Sequence, residues 1–152
     1  MARHPSESED YLWARVLAYA LEFTDGIAFS RGGISDPEEP PIAVRDLTGV
    51  YRSWIEVGAP DADRLHKASK ASPRVAVYTH KEPAQWLGRL EGARIHKSDA
   101  IEILAIDRPL LSALTARLER RMAFSLSVTE RELYVSLGTD TLAGRLTSLH
   151  LP

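Results

Sequence analysis

Val50-Tyr51-Arg52-Ser53-Trp54-Ile55-Glu56-Val57-Gly58-Ala59-Pro60-Asp61 is the stretch on which the fold turns. Residues Val50 to Val57 read as a strand with apolar side chains on both faces. Gly58 and Pro60 stop it, because neither continues a sheet ladder easily. Asp61 is suited to cap a short helix, expected over Asp61 to Ser69. On that helix Arg64, Lys67 and Lys70 recur every third residue and so share roughly one side. Two carboxylates flank the strand: Asp46 just before it and Glu56 near its end.

Working outward, helix one is expected from about Glu7 to Phe23. Ser6 is a suitable N-cap, with Glu9 three residues on as in a capping box. Leu12, Val16, Tyr19 and Ala20 form its apolar stripe, widened by Trp13 and Leu17. Residues 24–41 hold three glycines and three prolines and read as a long loop. Downstream, Arg74 to Tyr78 reads as a second strand and Pro83 to Leu90 as a helix that Gly92 ends. Ala100 to Ile106 is near-continuously apolar, as suits a strand covered on both faces. Arg108 to Arg120 reads as an amphipathic helix on a stripe of Leu110, Leu111, Leu114 and Leu118. Met122 to Thr129 and Glu132 to Leu137 alternate as a hairpin does, and Arg145 to Leu151 follows as one more strand. Helices alternating with strands, then a β meander, give an α/β fold: a mixed central β-sheet flanked by helices.

The chain has 152 residues, 44% hydrophobic and 26% charged, enough for a single domain over 1–152 with a real core. It has no cysteine, which excludes disulfides, thiolate metal sites, iron–sulfur clusters and cysteine nucleophiles. No stretch is apolar enough to span a bilayer and no basic-then-apolar leader opens the chain, so a cytoplasmic protein is the default expectation. Net charge is -2; bulk nonspecific coating of nucleic acid is not expected of such a chain, although a local basic rim is compatible with it. Histidines 4, 66, 80, 96 and 150 lack metal spacing. The glycines form neither GxGxxG nor a P-loop, and no serine sits in a nucleophile elbow.

An ordered set of short motifs carries a family resemblance. His4-Pro5-Ser6-Glu7 precedes helix one, with Arg15 two turns later. Phe29-Ser30-Arg31-Gly32, the acidic loop Asp36 to Pro40, and Arg45-Asp46-Leu47-Thr48-Gly49 follow. Then come Trp54 to Asp61, with Arg64, Lys67 and Ala68. On these residues the chain resembles the YaeQ family, whose fold is similar to that of the PD-(D/E)xK (restriction-endonuclease-like) nucleases. The resemblance implies Asp46 and Glu56 as ligands of a Mg²⁺ ion, with Glu7 completing the acidic cluster. The lysine usual two residues after the strand carboxylate is replaced by Gly58, and Lys67 is the family-implied substitute. Family members begin upstream of the His-Pro-Ser-Glu motif with extra strands. A sheet short of those strands would expose an edge, so a homo-oligomer formed through that edge is expected.

Two functions follow. In the first, a Mg²⁺-dependent phosphodiesterase acts on nucleic acid. Asp46 and Glu56 hold a metal that makes hydroxide, while Lys67 and Glu7 assist. They meet only if the strand bends or a hairpin forms between them, and Gly49 permits such a turn. Arg15, Arg31, Arg64 and Lys70 would contact the nucleic acid, Arg31 from beside Gly32 and Gly33. The plainer reading of the same residues pairs Glu56 with Arg64 or Lys67 and makes Asp46 a turn cap. It leaves Arg15 lying along the surface over the core and the basic row as a solvated helix face. In the second function the chain is a non-catalytic module that binds protein or nucleic acid on the same fold.

Overall fold

Glu56 is buried at the end of a strand that runs through the middle of the chain, and the architecture around it follows from that strand. The structure, a computed structural model, describes residues 9–29, 39–117 and 123–152. In chain order its elements are α1 (Glu9–Leu21), β1 (Ile27–Phe29), β2 (Ile42–Arg45), β3 (Tyr51–Val57), α2 (Ala62–Ala71), β4 (Val75–Thr79), α3 (Pro83–Leu90), β5 (Glu102–Ile106), α4 (Arg108–Thr115), β6 (Ser125–Thr129), β7 (Glu132–Leu137) and β8 (Asp140–Leu149).

The eight strands form one mixed sheet in the order β1-β2-β3-β4-β5-β8-β7-β6. β3, β4 and β5 are parallel, with α2 and α3 as their crossovers; all other pairings are antiparallel. Period-two alternation sorts the side chains. Ile55, Val57, Ala76, Tyr78, Leu104 and Ile106 join α1 and α4 in one core, which extends to Leu133 and Val135 of β7. Trp54, Val75, Val77 and Ile103 meet Leu65, Trp86 and Leu90 from α2 and α3 in the other. Fully buried aliphatics such as Leu17, Ile55 and Ile103 contribute about 1.5–3 kcal/mol each.

Polar caps fix where the helices start. The Asp61 carboxylate accepts from Arg64 N at 2.9 Å, Glu82 from Ala84 N at 3.2 Å, and Asp107 from Leu110 N at 3.0 Å. Each satisfies a backbone donor that the first helical turn leaves open.

The mixed sheet flanked by helices stands as expected, as do α3 and the β6–β7 hairpin. Several boundaries differ. The supposed loop over 24–41 holds β1, and β2 follows it directly, so a three-stranded meander precedes the crossovers. Gly26 makes β1 possible: its φ is +87°, and a Cβ there would lie 2.1 Å from the Arg45 carbonyl oxygen. The helix after Arg108 ends at Thr115, and Leu118 lies outside the described residues. β5 starts at Glu102 because Ser98–Ala100 forms a 3₁₀ turn. The last strand begins at Asp140, five residues early, because its first half pairs with β7 and its second with β5. On α1 the buried residues run continuously from Tyr11 to Arg15, then Leu17 and Ala18, while Val16, Tyr19 and Ala20 are only half-buried. The helix is covered by the sheet on one side and α4 on another, so a single stripe understates its burial.

Candidate functional site

The carboxyl end of β3 gathers the most specific polar chemistry. Trp54 and Glu56 are two residues apart and therefore share a face; the indole Nε1 donates to Glu56 Oε1 at 3.2 Å. Arg64, in the first turn of α2, reaches back and places Nε 2.9 Å from Oε1 and 2.6 Å from Oε2 of the same carboxylate. The Glu56 side chain is 2% exposed and that of Arg64 is 21% exposed. Arg64 also donates through Nη2 to the Glu39 carbonyl oxygen at 2.7 Å. It thereby ties the approach to β2, the end of β3 and the start of α2 together. Lys67 lies one turn further along α2, half-buried.

Asp46 is elsewhere. The hairpin that would bring the two acids together does form, but it holds them at opposite ends. Asp46 sits in its turn, opposite Val50, and Glu56 is six residues up the strand, roughly 20 Å away at about 3.3 Å per residue. Two carboxylates sharing a Mg²⁺ would need oxygens within about 5 Å. The Asp46 carboxylate caps its own turn instead, accepting from Thr48 Oγ1 at 2.6 Å, Thr48 N at 2.8 Å and Val50 N at 3.1 Å. The Thr48 hydroxyl, more than any other neighbour, holds it below the usual carboxylate range. Asp46 and Glu56 therefore do not form one metal site, and no cluster of three or more His, Asp or Glu in ligating arrangement exists among the described residues. The hairpin register shows what distance along the chain concealed. Ile42 faces Ile55, so the residues leading into β2, not those leaving it, lie beside Glu56. Glu39 is the described acid there.

Glu7 and Arg31 lie outside the described residues. Arg15 is neither in a cleft with Glu56 nor spread over the surface: it is 5% exposed, with its guanidinium 5.0 Å from the centre of the Phe29 ring. Arg64 is committed to Glu56 rather than to the solvent side of α2. Lys70 remains exposed there.

Family comparison places the chain. The family model described as YaeQ protein matches residues 1–145. The chain belongs to the YaeQ family. It is 26% identical over 154 residues to the uncharacterized protein YaeQ of Escherichia coli (strain K12), covering all of this chain and 84% of that one. To the Salmonella typhi protein of the same name it is 27% identical over 153 residues, with the same coverage. Among solved structures it resembles the YaeQ protein from Pseudomonas syringae at TM-score 0.85 and 29% identity, covering 98% of this chain and 82% of that one. For the YaeQ protein from Xanthomonas axonopodis pv. citri the figures are 0.86 and 28%, over 100% and 86%.

Beyond Glu56, this YaeQ chain has three polar features that spacing along the sequence could not show. His66 on α2 accepts from the backbone N–H of His96 at 3.0 Å through Nδ1, and the two rings meet edge to face at 6.2 Å. Thirty residues separate them, so no local motif signals the contact. It holds the turn after α3 against α2, and with it Arg94 and Lys97 beside the side of α2 that carries His66 and Lys70 (i, i+4 neighbours). At the opposite end of the sheet Arg74 bridges Glu22, which follows α1, and Glu102 of β5, while the Tyr78 hydroxyl donates to Glu22. Burial and the Glu22 carboxylate push the Tyr78 hydroxyl far up; Glu22 does the same for Arg74. This network clasps the end of α1 to the sheet. Third, His80 follows β4, 6% exposed, with its ring edge-on to Tyr11 and neither nitrogen hydrogen-bonded. Burial, reinforced by Lys81, drives it down to about 4.

Among the described residues no helix is long and apolar enough to cross a membrane.

Proposed function

We propose that this YaeQ protein is a non-catalytic nucleic-acid-binding module, built on a PD-(D/E)xK-like fold, that engages the phosphate backbone through the α2–α3 layer. One observation carries the reading: charge is segregated. The chain as a whole has 19 Lys and Arg against 21 Asp and Glu. Residues 62–71 and 83–97, the two helices on one face of the sheet and the turn after them, hold five Lys and Arg apart from Arg64, which pairs with Glu56, against two acids, and two histidines besides. Lys70, Arg89, Arg94 and Lys97 of this set are exposed, and the His66–His96 contact gathers the turn against α2. A cationic ridge on an otherwise acidic protein directs polyanions to one face.

The arrangement at Glu56 supports binding over hydrolysis. Its carboxylate oxygens are taken by Arg64 and Trp54, and the acid expected to share a metal with it caps a turn at the far end of the hairpin. The Mg²⁺ ligand pair implied by the family resemblance does not fit these positions, so no catalytic step is assigned to them. The mixed sheet, with its β1–β3 meander and two parallel crossovers, is compatible with the nuclease-like fold the resemblance implies.

Fluorescence anisotropy with labelled single- and double-stranded DNA and RNA tests the reading. The affinity is expected to fall as salt rises, with a log–log slope of about -0.9 per phosphate neutralised on a DNA duplex. Salt-independent binding, or Mg²⁺-dependent cleavage of any of the substrates, overturns it.

A further inference from the structure

We infer that β6 is a self-complementary edge through which two copies of this chain join their sheets into one. β6 ends the strand order, and among the described residues nothing pairs with its outer side. Its sequence, Ser125-Leu126-Ser127-Val128-Thr129, has no charge and no proline, the usual devices that keep an edge from pairing. Val128 is 45% exposed, although its partner across the hairpin, Leu133, is fully buried.

The hairpin geometry fixes which atoms face outward. Glu130 and Arg131 both have left-handed backbone, with φ of 49° and 67°, as in a two-residue turn of the kind that joins tightly paired strands. Thr129 and Glu132 close it. In such a turn the closing pair exchanges both backbone hydrogen bonds, and the pattern alternates from there. Ser125, Ser127 and Thr129 therefore direct their backbone groups to β7, and Leu126 and Val128 direct theirs outward. A second β6, antiparallel about a twofold axis at Ser127, matches this pattern. Leu126 then exchanges hydrogen bonds with Val128 of the second copy, and the reverse, giving about four bonds in all. The side chains agree as well. Leu126 and Val128 lie on the core face, so each exposed Val128 is covered by the second copy's Leu126. The hydroxyl-bearing Ser125, Ser127 and Thr129 meet one another on the other face. The occupant is thus a second copy of the same edge, since the alternation of polar and apolar residues reads the same in both directions.

A twofold axis normal to a sheet keeps both copies' faces on the same sides. The two α2–α3 layers would then share one side of a sixteen-strand sheet. Self-association is measured without nucleic acid, so its failure is separate from failure of the binding reading.

The absence of cysteine makes a direct test simple. Across the axis the two Ser127 Cα atoms would be about 4.5 Å apart, within disulfide range. Ser127→Cys is expected to give a thiol-reversible covalent dimer under mild oxidation, at least ten times faster than Ser112→Cys on the exposed side of α4. In sedimentation the wild type is expected at twice 16.9 kDa. Val128→Pro, which removes an outward N–H and spares the β7 ladder, is expected at the monomer mass. A wild type that sediments as a monomer throughout the micromolar range overturns the inference, as does equal cross-linking of the two cysteine variants. If Val128→Pro does not fold, the Ser127→Cys comparison alone decides.

Discussion

Arg64 and Glu56 form a nearly closed ion pair, Nε to Oε2 at 2.6 Å, in which the acid is 2% exposed and the base reaches it from the next helix. Two charges in this setting cost a great deal to desolvate and recover that cost only together. Removing one partner is therefore worse than removing both. Arg64→Leu is expected to lose about 2–4 kcal/mol, because it strands a buried carboxylate. The Glu56→Leu/Arg64→Leu double variant is expected to recover most of that loss. Urea unfolding midpoints at neutral pH measure both, and a double variant as unstable as the sum of its singles contradicts the pairing.

His80 makes stability depend on pH in the mildly acidic range. Its folded value is near 4 against an ordinary 6.5, because burial first and then Lys81 oppose the charged form; Asp10 acts the other way, and Arg108 adds a smaller opposition. The unfolded chain therefore binds the proton first as pH falls. Stability is complete above about 6.5, declines towards about 4 and levels off below. The protein is expected to be about 2 kcal/mol less stable at pH 5 than at pH 7 from this group. His80→Leu removes two unsatisfied buried nitrogens as well as the titration, so its stability is expected to stay flat over that interval. Chemical denaturation at a series of pH values separates the two outcomes.

Two glycines should respond in opposite directions to the same change. A Cβ on Gly144 would lie 2.7 Å from Leu110 Cβ and 2.8 Å from Asp107 Cβ, where β8 passes under the start of α4. Gly144→Ala is expected to cost about 1–3 kcal/mol through overpacking. A Cβ on Gly88, in α3, meets nothing within 4 Å. Gly88→Ala is expected to stabilise by about 0.5–1 kcal/mol through helix propensity. Thermal melts of the pair test both signs at once.

The cationic layer predicts a separation of variants in binding. Lys70→Glu/Arg94→Glu is expected to weaken nucleic-acid binding at least tenfold and to flatten the salt slope by about two neutralised phosphates or more. Asp46→Asn, at the far turn, is expected to leave affinity unchanged. Anisotropy titrations at fixed salt decide it, and equal affinities for all three proteins would remove the layer from consideration.

Local signals were legible in the sequence where one residue type dictates one conformation. Pro83 and Gly92 bracket α3, Asp61 caps α2, and the alternation in Glu132 to Leu137 is β7. A plain pairing of Glu56 with a helix-borne base was legible too, as Arg64 or Lys67, and the structure selects Arg64, eight residues on. β1 and β2 were hidden because three and four residues are too short to show a period, and Gly and Pro around them read as loop. Asp46 misled for a related reason: an acid just before a strand belongs to whichever end of the hairpin the unseen partner strand dictates. Burial of Arg15 depends on Phe29, and the His66–His96 contact on a crossover. No reading of neighbours along the chain contains either.

β8 has a consequence for how this molecule is made. It is the last of the described strands along the chain, yet it sits between β5 and β7 and, among the described residues, is the strand that joins them. Until it arrives, the parallel strands and the terminal hairpin are separate fragments, each with an unsealed flank. The described sheet therefore closes only after β8 is synthesised, and a nascent chain stalled before Asp140 would be a natural client for chaperones.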